Sequence, residues 1–276
     1  MCQNYVYKTS KNDEISITTF GNQHLKSGKC LIYCHGFKGF KDWGFVPYVG
    51  KYFAERGYFV ITFNFSHNGI GNNPLEFTEP DKFAENTFSL EVNELNEIIN
   101  AVSNGYFGKI INPKIGIIGH SRGGAVALLA AYNNNNVNAL ITWSSIAKLD
   151  RYSERQKKEW LSKGYFEVLN SRTNQIMRMN KDLLKDIINN KNGFLNIEKA
   201  AKDLNKPWLI IHGEQDLTVK SDEAEKLYGW SNKHLTELQL IPFAGHTFNI
   251  VHPMEKVSEP LNKVLKKTEK FIEKIK

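Results

Sequence analysis

The sequence predicts an α/β protein, a mostly parallel central sheet with helices on both faces. Three observations predict it. Short apolar runs recur at 30–34, 58–65, 114–118, 139–143, 207–211 and 236–241. Stretches with helical periodicity separate most of them. One strand-to-helix junction reads Gly119-His120-Ser121-Arg122-Gly123. Strands that are apolar throughout and alternate with helices belong to parallel sheets covered on both sides.

In chain order, Tyr5-Val6-Tyr7 and residues 15–20 read as an opening antiparallel pair. The strand at 30–34 follows, then a helix at 46–56 that Gly57 ends. After the strand at 58–65, residues 86–103 place Leu90, Leu95, Ile98, Ile99 and Val102 on one helical stripe. The strand at 114–118 runs through the Ser121 junction into a small-residue helix, Gly124 to Ala131. Strands at 139–143 and 207–211, a helix near 222–228 and a last strand at 236–241 come next. A closing helix carries Val257, Leu261, Val264, Leu265, Phe271, Ile272 and Ile275 on its apolar stripe. Residues 145–206 break the rhythm, with helical segments at 153–162 and 181–189 and no buried-strand pattern. The expected organisation is therefore an α/β core at 1–145 and 206–276, with a helical cap inserted at 146–205. The asparagine run at 133–136 is a polar loop.

Composition narrows the function classes. Hydrophobic residues make up 41% of the 276, enough for a sizeable core. No apolar run reaches the roughly 20 residues that a membrane span requires, and the first residues do not read as a signal peptide. Cys2, Cys30 and Cys34 do not form a disulfide framework, and a cytoplasmic protein is expected. No Cys/His cluster has metal-ligand spacing and no glycine-rich phosphate loop is present, so neither metal nor cofactor is expected. The net charge of +7 is uneven. Residues 146–205 hold 13 Lys/Arg against 8 Asp/Glu, a net +5, and residues 251–276 hold 7 against 4, a net +3. Because the signs are mixed, these are read as solvated helix faces rather than a nucleic-acid surface.

Gly-x-Ser-x-Gly between a strand and a helix is the layout of a nucleophile elbow. A serine hydroxyl needs a base, and the base an acid that fixes its tautomer. In this architecture the acid and then the histidine follow the serine in the chain, each just past a strand's C-terminal end. Asp216 lies in the turn after the strand at 207–211, and His246 in Ala244-Gly245-His246 after the last strand. Ser121, Asp216 and His246 are therefore the expected catalytic residues. Asp222 and Glu214 are rivals for the acid, and His252 for the base. The oxyanion donors are expected to be the Arg122 amide and the Phe37 amide, the latter in His35-Gly36-Phe37 after the strand at 30–34.

The series His-Gly-Phe, Gly-His-Ser-Arg-Gly-Gly, His-Gly-x-x-Asp and Ala-Gly-His resembles the α/β-hydrolase superfamily. Within it the chain is similar to cinnamoyl/feruloyl esterases and to dienelactone-hydrolase-like and serine-aminopeptidase-like hydrolases. The resemblance runs from about residue 28 to the C-terminus. Dienelactone hydrolases proper use a cysteine nucleophile, whereas position 121 is serine. The resemblance implies that 146–205 caps an acyl pocket.

For that pocket Phe40, Trp43, His67, Trp143 and Trp160 are the substrate-contact candidates, with packing of the cap on the sheet as the competing role. Arg172 and Arg178 have the chemistry to pair with a substrate carboxylate. The expected activity is hydrolysis of a small carboxylic ester through an acyl-enzyme. A small-peptide amidase and a non-catalytic binding protein are the alternatives. No nucleic-acid or membrane partner is expected, and a homodimer is left open.

Overall fold

The computed structural model describes residues 2–73 and 75–275. An eight-stranded sheet forms its centre, built from β1 (Cys2–Lys8), β2 (Glu14–Phe20), β3 (Lys29–Cys34), β4 (Phe59–Phe63), β5 (Lys114–His120), β6 (Val137–Trp143), β9 (Trp208–Gly213) and β10 (Thr236–Ile241). Its order is β1-β2-β4-β3-β5-β6-β9-β10. Only the β1–β2 and β2–β4 pairings are antiparallel. The remaining helices of the sheet layers are α1 (Val46–Ala54), α2 (Pro80–Glu85), α3 (Phe88–Ser103), α4 (Arg122–Asn133), α8 (Asp222–Trp230) and α9 (Glu259–Ile272).

The strands bury both faces because alternate residues feed two separate cores. In β3, Cys30, Ile32 and Cys34 join the core beneath α3, α4 and α8. Leu31 and Tyr33 join the core beneath α1 and α9. Burial pushes both β3 thiols well above their usual range, so they behave as small apolar side chains. After β3 the chain crosses to β4 on one side, then returns by α3 to β5 on the other. The strand order reverses between β3 and β5, and the crevice at their C-terminal ends is where such sheets place ligands.

Between β6 and β9 the chain leaves the sheet. It forms α5 (Glu154–Lys163), β7 (Tyr165–Asn170), β8 (Gln175–Asn180), α6 (Lys181–Asn190) and α7 (Ile197–Asp203). The insertion expected to be a helical cap also carries strands, a correction to that expectation: β7 and β8 form an antiparallel hairpin. The hairpin hides in the sequence because Leu169 and Ile176, a cross-strand pair, both face solvent. Their apolar character blurs the alternation that Met177 and Met179 show by being buried. A capping box between Ser153 and Gln156 starts α5. The Trp160 Nε1 donates to the Met179 carbonyl at 2.9 Å and ties α5 to the hairpin. Asp186 of α6 accepts from the Ser89 amide (2.9 Å) and hydroxyl (2.5 Å), which docks the insertion on the start of α3. Among the described residues no helix is long and apolar enough to cross a membrane.

Candidate active site

Ser121 sits between the last residue of β5 and the first of α4, with φ 56° and ψ −122°. A non-glycine residue at positive φ costs on the order of 1–3 kcal/mol and persists only where its surroundings enforce it. Here they do. The Ser121 amide donates to the Trp143 carbonyl of β6 at 2.9 Å. Gly123 lets α4 press against the β3 loop, since a Cβ there would lie 2.3 Å from the His35 carbonyl oxygen.

The other two groups arrive from the ends of β9 and β10. His246 Nδ1 donates to Asp216 Oδ2 at 2.7 Å, and its Nε2 lies 3.0 Å from Ser121 Oγ. The second Asp216 oxygen accepts the Thr218 and Val219 amides, both at 2.9 Å. His212 Nε2 donates to the Val219 carbonyl at 2.8 Å and stands 3.3 Å from Asp216 Oδ2. Burial alone would raise the Asp216 carboxyl. Hydrogen bonds from His212 and His246, the charge of His246 and the Val219 amide outweigh it and hold the acid well below the usual carboxylate range. Such an ionised partner is what keeps an imidazole oriented and stabilises its protonated form.

The rival groups point elsewhere. Asp222 is exposed and pairs with Lys226 at 3.3 Å, and Glu214 is exposed. His252 Nδ1 accepts the Gly44 amide at 2.9 Å and stacks on Trp43. His120 braces the site from below. Its Nε2 donates to the His246 carbonyl at 2.9 Å. Burial and the neighbouring His246 push it down to about 3, so it remains neutral.

Phe37 and Arg122 line the same cavity as Ser121. Arg122 opens α4, where first-turn amides have no acceptor inside the helix. Gly36 brings the β3 loop against the serine: a Cβ there would lie 2.9 Å from Ser121 Cβ and 3.4 Å from its Oγ. The Arg122 side chain turns inward, and its Nε bonds Glu91 of α3 at 2.8 Å. The Asn86 side-chain amide donates to the other Glu91 oxygen at 2.8 Å. The Arg122 guanidinium also stacks over Phe88, 3.9 Å from its centroid. Sequence reasoning missed Glu91, although a signal exists. Phe88, Glu91, Leu95, Ile98 and Val102 follow helical spacing, so one acid interrupts an apolar stripe. It likewise assigned no role to His212.

A cavity of about 510 Å³ opens over Ser121 and His246. Phe37, Phe40, Trp43 and Phe88 line it from the core, and Tyr152 and Arg172 from the insertion. Three expected contact residues lie outside it. Trp143 is the end of β6 but faces the α9 side of the sheet, where its Nε1 donates to Thr268 Oγ1 at 3.2 Å. Trp160 is buried within the insertion between Tyr152 and Phe166. His67 turns away toward Ser66, 2.6 Å from its hydroxyl. Arg178 pairs with Glu167 on the surface at 3.1 Å. Among the described residues, Asp13, His67 and Glu94 are the group whose ligand atoms lie within 4.8 Å of one another. The Ser66 amide and hydroxyl already bond Glu94 there, and none of the three lines the Ser121 cavity.

A family model described as alpha/beta hydrolase fold matches residues 29–185, more than half of the 276. The chain belongs to the alpha/beta hydrolase family. No curated protein sequence matches it. Among solved structures, Est1E from Butyrivibrio proteoclasticus aligns with a TM-score of 0.70 at 15% identity, over 98% of this chain and 97% of that one. The alpha/beta hydrolase GrgF from Penicillium sp. sh18 aligns with a TM-score of 0.75 at 14% identity, over 100% and 99%. The Pyrococcus furiosus esterase PF2001 aligns with a TM-score of 0.66 at 20% identity, over 100% and 91%. At these identities the likeness establishes the shared fold.

Proposed function

We propose that this alpha/beta hydrolase is a serine esterase that cleaves small carboxylic esters. The observation that carries the reading is the unbroken chain from Ser121 Oγ through His246 to Asp216, at 3.0 and 2.7 Å. Its placement below a mostly apolar cavity supports it. Est1E, one of the structural relatives, also exists with ferulic acid bound, which is in keeping with an aromatic or medium acyl group here.

In this reading Ser121 Oγ attacks the ester carbonyl while His246 Nε2 takes its proton. The Phe37 and Arg122 amides donate to the developing oxyanion. His246 returns the proton to the departing alcohol, leaving an acyl group on Ser121. Water, deprotonated by His246, then releases the acid and restores the serine. Asp216 keeps the imidazole in the tautomer that can accept at Nε2. The insertion from α5 to α7 acts as the cap over the acyl pocket.

The test is Ser121→Ala assayed with short p-nitrophenyl esters. Turnover should fall by at least about 10⁴-fold, fluorophosphonate labelling should vanish, and the circular dichroism spectrum should remain unchanged. Retained turnover in that variant would refute the assignment.

A further inference from the structure

Lys38 and Arg172 both line the Ser121 cavity, one from the β3 loop and one from the insertion. Lys38 follows Phe37 in the β3 loop and holds a φ of 54°. Its ammonium donates to the Leu169 carbonyl at 3.1 Å. Arg172 lies in the β7–β8 turn, and its guanidinium donates to the Lys38 carbonyl and sits 5.5 Å from the Trp43 ring centre. These links leave most of their donors free, since an ammonium has three and a guanidinium five.

The neighbouring acids are already committed. Glu91 pairs with Arg122, Glu223 with Arg151, Asp42 with Lys41 and Glu167 with Arg178. Among the described residues no Asp or Glu lines the cavity, whereas Lys38, Arg122, Arg151 and Arg172 do. Lys38 and Arg172 are thus two adjacent cations without a counter-charge. Burial, and then the Arg172 charge beside it, push the Lys38 ammonium below its usual value. An anion bound between them would relieve that repulsion and satisfy the free donors.

We propose that Lys38 and Arg172 form a carboxylate-binding subsite, so that the ester entering this cavity carries a carboxylate at the end remote from its reacting carbonyl. The proposal rests on the esterase reading above and narrows its substrate class. The guanidinium offers a planar fork for a carboxylate, and Trp43 supplies the apolar floor beside it. A purely mechanical role is the competitor, because the same two side chains clasp the hairpin to the β3 loop. A clasp would affect charged and neutral esters alike.

Two matched substrate pairs separate these roles and locate the carboxylate. Mono-p-nitrophenyl glutarate against p-nitrophenyl pentanoate places it on the acyl side. Para-acetoxybenzoate against its methyl ester places it on the alcohol side. In at least one pair, Lys38→Gln and Arg172→Gln should each lower the ratio of kcat/KM for the anionic over the neutral ester about tenfold. Arg172→Lys, which keeps the charge but loses the fork, should lower that ratio by less than Arg172→Gln does, and added salt should depress it in the wild type. Ratios unmoved in both pairs, with the neutral esters still turned over, overturn the subsite alone. Absence of turnover on all four esters overturns the esterase reading and the subsite with it.

Discussion

Arg122, whose backbone opens α4 beside Ser121, is bound through its Nε to Glu91 of α3 at 2.8 Å, and both side chains are buried. The pair fixes the first turn of α4 against α3, so the amide proposed to meet an oxyanion depends on an acid 31 residues away in sequence. Glu91→Ala would strand the Arg122 charge in the core. Removing one partner of a buried pair costs about 3–5 kcal/mol. The urea midpoint of this variant should drop accordingly. Ester turnover should also fall in the fraction that still folds, as measured by active-site titration.

Asp216→Asn should leave the fold in place and lower kcat by about 10⁴-fold, because the amide no longer selects the His246 tautomer that accepts from Ser121. The pH dependence of stability provides a second check. The native Asp216 carboxyl lies below its ordinary value of 3.8. Its contribution is therefore present above that value and is lost as the pH falls toward the depressed native one. Relative to Asp216→Asn, the wild type should lose stability below about pH 4. Parallel acid unfolding curves for the two proteins would contradict the assignment of an ionised, bonded carboxylate.

Glu94 behaves in the opposite sense. Burial raises it to about 7, against hydrogen bonds from Ser66 that lower it. A carboxyl whose native value lies above the unfolded 4.5 contributes stability that is complete below pH 4.5 and lost as the pH rises through about 7. Glu94→Gln removes this dependence. The wild type should lose on the order of 3 kcal/mol relative to that variant between pH 4 and pH 8, read from urea midpoints. A difference that is flat with pH would show that the native Glu94 carboxyl titrates where the unfolded one does.

Gly36→Ala tests the tight approach of the β3 loop. The new methyl would sit 2.9 Å from Ser121 Cβ and from the His120 carbonyl oxygen. The loop has to retreat, and the Phe37 amide with it. The loss of one oxyanion donor costs roughly 10²–10³ in kcat, so kcat should fall by that amount. KM should change little, and fluorophosphonate labelling of Ser121 should be slowed.

Much of the molecule was legible in the chain itself. The apolar runs and their helical spacers mark the sheet, and the family match bears out the α/β-hydrolase fold that they and the motifs imply. The order Ser121, Asp216, His246 could be read because each residue lies in a turn directly after a strand, and in a parallel sheet those turns share one edge. Local sequence thus carries the address of each group. The hairpin in the insertion was not legible, because Leu169 and Ile176 are apolar yet exposed and mask the two-residue alternation.

The side on which each side chain falls was also hidden. Trp143 and Thr142 are adjacent on β6, yet Trp143 packs with Phe248 under α9 while Thr142 bonds Trp208. A strand buried on both faces is apolar on both, so no pattern within it distinguishes the cavity side from the back. The amino-acid sequence determined the fold through periodicity, and its short motifs located the three groups of the proposed triad. Only the tertiary structure decided which aromatics reach the cavity, that Glu91 holds Arg122, and that Lys38 and Arg172 converge. Contacts of that kind depend on how separate elements pack together, and no local pattern encodes them.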